Sequence, residues 1–413
     1  MGSPDPSFSL YVHVPFCVDK CLYCDFYSVP QRSVEAGVQE QVIEQTLEQA
    51  EFFRDALGWL QQPQTIFMGG GTPSVLSRGS RARLLSAFSE GAREEWTVEA
   101  NPESMDEEFL RACAEGQVTR ISAGVQSTSD RHLRFLRRAC TRRDIERALS
   151  ALTSSWKGDL NLDFIAGIPG QVPEEVRADL AILDRLAVSH VSLYSLTYEE
   201  GTPLSRLAEE GEILRNAEEQ DEELWFAGCD ELSRRGFGQY EISNFSLPGR
   251  ECRHNLRYWR IEPYLGAGPG AVSTVPGPPL ARALALPGAS APNTVLRLAV
   301  PKDIPRFLRG REALWGIQAE IVAPEDFLLE TLMMGLRLRE GLAAAHLERR
   351  FGAPLEELIP GLWQRWMGRG LAEKPGAFMR LTESGRLVLD GLLTEASRAR
   401  EQTPGAPLRV TWP

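Results

Sequence analysis

The chain has 413 residues, enough for two or three domains and a large core, so it needs no disulfides to fold. Its 43% hydrophobic and 25% charged residues describe an ordinary globular protein, and a net charge of -12 disfavours a nucleic-acid partner, because phosphates attract basic surfaces. No run of about 18 apolar residues offers a membrane span. The opening MGSPDPSF lacks the charged-then-apolar order of a secretory signal and has Pro6 where a myristoylation motif would need Ser or Thr, so a cytoplasmic protein is expected.

In chain order, runs of β type alternate with helical patterns. FSLYVHV (8–14), QTIFM (64–68), WTVEA (96–100), VTRISAG (118–124), LNLDFIAG (160–167) and VSLYSL (191–196) read as six strands. Between the first two, Val34, Val38, Val42, Leu47, Ala50, Phe53, Leu57 and Leu60 recur near helical spacing. Further helices are predicted at 78–92, 106–116, 130–138, 142–155 and 174–187. Six βα units in succession imply a parallel sheet with right-handed crossovers, closed or partly closed: a partial (β/α)6 TIM-like barrel over residues 1–205.

Past residue 205 the rhythm changes. An acidic helical stretch (217–236) leads into a Gly- and aromatic-rich segment (238–274), and 275–293 reads as a surface loop of Pro, Gly and Ala. Residues 206–305 are thus an extension of the barrel. Residues 306–413 form a mostly helical domain of winged-helix type, with a late strand and then a helix capped by Thr382, whose expected role is to cover the barrel's open side.

In parallel βα folds the chemistry sits at the carboxyl ends of the strands. Each of the six candidates is followed there by a pointed group. Strand one leads to Cys17, Cys21 and Cys24, and strand two to GGGTPS (69–74), where Gly70, Gly71 and Thr72 could let backbone approach a ligand and leave amide donors free for an anion. Glu99 and Asn101 close the third strand and Gln126 the fourth; Asp163 and GIPGQ (167–171) go with the fifth, and Tyr194, Leu196 and Thr197 with the sixth. Taken singly, a carboxylate such as Glu99 or Asp163 could be solvated or capping, and the glycines could make a tight turn.

The cysteines sharpen the reading. Of seven, four are scattered (Cys113, Cys140, Cys229, Cys252) and three cluster in YVHVPFCVDKCLYCDFYSVP (11–30), a pattern that suits metal binding in a reducing compartment better than a disulfide framework. Four thiolates saturate a metal site, whereas three leave a position open for something that is not protein. A structural zinc would want a fourth ligand, and His13, the nearest one, lies inside the alternating strand.

The spacing C-x-x-x-C-x-x-C after a first barrel strand resembles the signature of the radical S-adenosylmethionine (SAM) superfamily. That resemblance implies a 4Fe-4S cluster on Cys17, Cys21 and Cys24, with SAM chelating the fourth iron. Along nearly the whole chain, SLYVHVPFC, GGGTPS, EANPES, GVQS, DFIAGIPGQ and QYEISNFSLPGRECRHNLRYW are similar to the oxygen-independent coproporphyrinogen III oxidase-like family, which includes the HemW heme chaperones. The match implies SAM contacts at Tyr11, Gly70, Gly71, Thr72, Glu99, Gln126, Arg138, Asp163 and Thr197, with Glu99 taking the SAM ammonium, Asp163 a hydroxyl and Arg138 a carboxylate.

Within this family the resemblance divides between an oxidase and a heme chaperone. The oxidase resembles C-x-x-x-C-x-x-C-x-C, whereas Asp25 and Phe26 follow Cys24 here, and it carries a substantial N-terminal extension, whereas 16 residues precede Cys17. HNLRY (254–258) matches the H-N-x-x-Y motif associated with heme in the chaperones, which implies His254 as an axial ligand with Asn255 and Tyr258 beside it. Cys252 competes for that role. One departure is Val272 after GAGPGA, where relatives usually show His. The expectation is a chaperone that binds heme and transfers it to acceptor proteins, membrane-associated respiratory enzymes among them, without oxidase turnover. The fold is compatible with a homodimer lying peripherally at a membrane; the alternative is the oxidase itself.

Overall fold

A computed structural model describes residues 7–286 and 288–402 together with 408, 410 and 411. Residues 1–6, which carry the expectation about a signal sequence, and Pro287 of the 275–293 loop lie outside them. Each predicted barrel strand is present, its ends within two residues of expectation: β1 (Ser9–Val14), β2 (Thr65–Gly70), β3 (Glu95–Ala100), β4 (Arg120–Gln126), β5 (Asp159–Ala166) and β6 (His190–Ser195). The helices between them are α1 (Val38–Leu57), α2 (Arg78–Ala87), α3 (Glu107–Glu115), α4 (Asp130–Phe135), α5 (Arg142–Ser155) and α6 (Pro173–Leu180).

Local chemistry sets several boundaries. Gly58 at φ 69° ends α1, so Leu60 falls outside the helix and is 72% exposed instead of continuing the apolar stripe. Asp106 caps α3 by accepting from the Phe109 amide, and Thr141 and Asp144 form a capping box on α5. The predicted 174–187 helix tightens after Leu180 into a 3-10 turn ending at Arg185.

β1 to β6 pair in parallel, and the second half of the chain extends the sheet. Added strands are β7 (Gly238–Gln239), β8 (Asn244–Ser246), β9 (Tyr264–Ala267), β10 (Val272–Pro276), β11 (Val295–Ala299) and β12 (Gln318–Ile321). The order is β12-β11-β10-β9-β1-β2-β3-β4-β5-β6-β8-β7, with β9 parallel to β1 and the remaining additions antiparallel. The two edges do not pair, so the barrel is partial. On the outer face Leu10, Val12, Ile66, Met68, Trp96, Ile121, Leu162 and Val191 are each fully buried beneath the helices. Alternate residues face inward, and Tyr11, Thr97, Ser122, Asn161, Ser192 and Tyr194 border one interior chamber of about 460 Å3. Because both faces are covered, the strands read as nearly continuous apolar runs broken by polar residues that the interior uses.

Two further helices bear on function: α7 (Glu218–Arg234) beside β5 and β6, and the short α8 (Arg253–Trp259), which closes the barrel at the amino-terminal ends of β2 and β3. The C-terminal part has its own core of Phe327, Leu332, Leu336, Trp363 and Trp366, built on α9 (Pro324–Arg337), α10 (Leu389–Gln402) and a three-stranded antiparallel sheet. Thr382 caps the helix after its last strand, accepting from the Gly385 amide at 3.1 Å. Among the described residues no helix is long and apolar enough to cross a membrane.

Candidate cluster and cofactor site at the barrel rim

The cysteine loop leaves β1 and returns through a pairing of Phe16–Cys17 with Val29–Pro30. Leu22, buried between Leu136, Ile165 and Leu204, anchors its middle; its amide donates to the Leu136 carbonyl at 3.0 Å, and its carbonyl accepts from the Leu204 amide at 3.0 Å. The three thiols are thereby held over the carboxyl ends of the strands. There they share a pocket of about 540 Å3 with Gly70, Gly71, Thr72, Glu99, Gln126, Arg138, Asp163 and Thr197.

Of the predicted contacts, only Tyr11 and His254 lie outside this lining. Tyr11 belongs to the layer below: its hydroxyl bonds His13 Nδ1 at 2.9 Å and lies 2.7 Å from where a Cβ on Gly70 would sit. His13 is held at both nitrogens, by Tyr11 and by the Tyr27 carbonyl at 2.8 Å, and burial lowers its pKa to about 4. It is thus occupied as a strut. Among the described residues no three His, Cys, Asp or Glu side chains converge on a single ion, an arrangement that a cubane whose irons take one thiolate each does not need.

The glycine run does a different job from the one expected. Its amides are not free: Gly70 N donates to Glu99 Oε2 at 3.1 Å, Gly71 N to the Val14 carbonyl at 2.9 Å and Thr72 N to the Phe16 carbonyl at 2.7 Å. A Cβ on Gly71 would lie 2.5 Å from the Val14 oxygen and 2.7 Å from that of Phe16. The small residues let β2 close against the start of the cysteine loop, and the donors are spent fixing it.

Around the sulfurs, Thr72 Oγ1 donates to Cys17 Sγ at 3.5 Å and Arg138 Nη1 to Cys21 Sγ at 3.4 Å. Arg138 Nη2 donates to Asn101 Oδ1 and the Gly124 carbonyl, both at 2.8 Å, and Asn101 Nδ2 donates to Thr72 Oγ1 at 2.9 Å. Asn101, noted in sequence but given no role, thus links two donors that serve two different cysteines. Burial alone would lower the Arg138 pKa, but Cys21, Tyr23 and Glu103 around it prevail and raise it, so the guanidinium keeps its charge. Burial raises the Cys17 thiol against the hydrogen bond from Thr72, and pushes Cys24 up to about 12. Half-buried thiols costly to ionise alone, supplied with donors and a fixed cation, fit an iron-sulfur cluster.

Glu99 and Asp163 face the same pocket without an ion pair among the described residues. Burial, with Asp163 adding repulsion, pushes Glu99 up to about 8, against the Gly70 amide. Burial also raises Asp163, tempered by hydrogen bonds from Ser192, Asn161 and Ser122. Arg138 also lowers Asp163 but forms no ion pair with it, and two buried carboxyls without a direct ion-pair partner fit a ligand that brings positive charge, as SAM does. Gln126 sits at φ 65°, beside the register shift between Gly124 and Gln126, a conformation that costs energy and concentrates at binding sites. Residues missed in the sequence, namely Ser122, Asn161, His190 and Ser192, all carry one signal: polar groups on alternate inward positions of predicted strands.

His254 lies elsewhere. It is 1% exposed in α8, its Nδ1 2.8 Å from Thr65 Oγ1 at the start of β2, with its ring against Phe67 and Tyr258. With Thr65 donating to Ser9 Oγ, Nδ1 carries the proton and Nε2 keeps a lone pair with no partner; burial and Arg257 lower the pKa to about 3. Glu95 holds this end of α8, accepting from Cys252 Sγ at 3.2 Å, His254 N at 3.1 Å and Arg120 Nε at 3.0 Å. Cys252 is therefore a donor to Glu95, deep in the barrel floor, and Asn255 and Tyr258 border the chamber.

Comparison with known proteins agrees with this architecture. Residues 11–183 match the radical SAM superfamily and 322–388 the HemN C-terminal domain. The chain is 32% identical over 398 residues to heme chaperone HemW of Mycobacterium tuberculosis, covering 94% of this chain and 95% of that one. It is 31% identical over 401 residues to heme chaperone HemW of Escherichia coli, covering 94% and 97%. The fold superposes on coproporphyrinogen III oxidase (HemN) from Escherichia coli, a radical SAM enzyme, with a TM-score of 0.75 over 96% of this chain and 91% of that one, at 18% identity. With end-to-end identity to those chaperones and three thiols on a radical SAM barrel, the chain belongs to the HemW family of the radical SAM superfamily.

Proposed function

We propose that this protein is a heme chaperone: it binds heme and passes it to acceptor proteins, with a 4Fe-4S cluster and SAM held at the barrel rim. The observation that carries the reading is the identity of 32% and 31% to two heme chaperones over 94% of the chain. In it, Cys17, Cys21 and Cys24 hold the cluster, and Gly70, Gly71, Thr72, Glu99, Gln126, Arg138, Asp163 and Thr197 surround SAM, with Tyr11 beneath. A cluster held by these three thiols would supply one-electron chemistry towards SAM once an external reductant had charged it. The residues' own part is to exclude water around the thiols and to offer Glu99 and Asp163 to the cationic ligand.

The acceptors are respiratory enzymes at the membrane, met from the cytoplasm by a monomer or by one half of a homodimer. The barrel comprises residues 1–205, its extension 206–305 and the cap 306–413. His254 is the proposed axial ligand in the barrel; its bare Nε2 supports this, and its burial requires α8 to shift before iron can reach it.

The test is anaerobic. Cluster-loaded protein is titrated with hemin, and in parallel incubated with SAM, a reductant and coproporphyrinogen III. A Soret band that weakens in His254→Ala, with no porphyrinogen oxidation, is the expected result. Protoporphyrinogen formed at a catalytic rate would replace the chaperone reading with the oxidase one. An undiminished Soret band in the variant would remove His254 from the site.

A further inference from the structure

A third cavity, of about 570 Å3, opens between α7 and the C-terminal part. Trp225 and Phe226 of α7 form one wall, Met333 of α9 and Leu387 the other. Phe226, Met333 and Leu387 are 39%, 38% and 64% exposed, a concentration of large apolar side chains that a water-facing surface does not need. Arg339 and Arg386 stand on the same lining. Neither guanidinium forms an ion pair among the described residues; Arg386 Nη1 reaches only the Leu381 carbonyl, at 3.1 Å. The pKa of Arg386 is lowered by burial and then by Arg339, with Glu383 opposing them, so the two guanidiniums lie close enough to repel each other. Asp230, Glu383 and Asp390 are also on this lining, and none of them forms an ion pair with either guanidinium. The groove runs into the rim pocket, since Ser195, Ile242 and Ser243 border both.

A cavity of this size that combines apolar walls with convergent polar and charged groups can take a small ligand. Two adjacent unpaired guanidiniums select for carboxylates. We propose that this groove receives the porphyrin macrocycle: the ring lies between the α7 aromatics and Met333 with Leu387, and the two propionates are taken by Arg339 and Arg386. The inference rests on the heme reading above and deepens it. A carrier must load and release its cargo, and this groove is open where the His254 site is sealed, so the groove is the arrival and hand-over station. It invokes no iron ligand, which makes it separable from His254.

The experiment uses the full chain and iron-free protoporphyrin IX, followed by porphyrin fluorescence. Binding is expected in the parent protein and in His254→Ala alike. Combining Arg339→Gln with Arg386→Gln should weaken it about tenfold or more, the loss of a charge-assisted hydrogen bond. The dimethyl ester of the porphyrin should bind the parent and the arginine variant equally. Leu387→Ser, at a site 64% exposed and so harmless to folding, should weaken porphyrin and ester together. Porphyrin affinity unchanged in the arginine variant, or lost for the ester as well, overturns the groove. Binding of hemin but not of iron-free porphyrin to the parent overturns the groove and leaves the heme reading intact. If the parent binds neither, the heme reading itself fails.

Discussion

Arg138 Nη1 stands 3.4 Å from Cys21 Sγ, while Nη2 is bound at 2.8 Å to Asn101 Oδ1, which fixes the charge beside the sulfur. A donor and a positive charge next to a thiolate stabilise the more negative, reduced state of a cluster. Arg138→Gln is therefore expected to lower the cluster's midpoint potential by roughly 60 mV, a tenfold change in a one-electron equilibrium. The measurement is an EPR-monitored redox titration, with iron and sulfide counted beforehand to show equal loading. An unmoved potential at equal loading would make Arg138 a contact to SAM alone.

Glu99 gives a pH signature. Buried beside Asp163, it holds its proton until about pH 8, whereas accepting from the SAM amino group requires the carboxylate. SAM affinity should rise between pH 6.5 and about 8, and Glu99→Gln should weaken binding about tenfold and flatten that rise. Calorimetric titration of cluster-loaded protein checks both. A variant that keeps the parent's slope would assign the titration to another group.

Gly71→Ala tests what the glycine run is for. The added methyl would meet the carbonyls of Val14 and Phe16 at 2.5 and 2.7 Å, both backbone atoms that cannot swing aside. The expected cost is about 1 to 3 kcal/mol of stability, with iron content falling because the loop bearing Cys17 is pushed off its seat. If the variant melts normally, loads iron fully and loses only SAM binding, the glycines are a ligand cradle after all.

The rim was legible in the sequence because a parallel βα rhythm commits the carboxyl end of every strand to one surface, so Cys17, Glu99, Gln126, Asp163 and Thr197 needed only strand assignments to be brought together. Donor and acceptor identity was not legible. The amides of 70–72 looked available until the register of β1 against β2 assigned them to Val14, Phe16 and Glu99. His254 shows the same limit: its motif could be matched, but its depth depends on Glu95, 159 residues earlier, capturing the start of α8. The groove was invisible for a related reason, since α7 and the segment around Leu387 meet only through the tertiary fold.

All five histidines have lowered pKa values, and in each the leading cause is burial: His254 to about 3, His13 and His346 to about 4, with His132 and His190 lowered as well. A base kept neutral in the fold leaves the unfolded chain holding more protons below its ordinary value near 6.5, so stability is full above that pH and is lost as pH falls towards 4. Each contributes a slope of at most about 1.4 kcal/mol per pH unit. Glu99, raised to about 8, acts with the opposite sign between about 4.5 and 8, because there the folded chain holds the extra proton; Asp163 and Asp179, also raised, act with the same sign as Glu99. Five bases against three acids leave stability falling with acidity between pH 6.5 and 5. The melting temperature should therefore drop across that interval, before the carboxylates of exposed ion pairs titrate. Glu99→Gln should steepen the drop, having lost the opposing contribution, and His346→Gln should make it shallower. A melting temperature constant from pH 7 to 5, or a Glu99→Gln profile shallower than the parent's, would show that these imidazoles are not held neutral by burial.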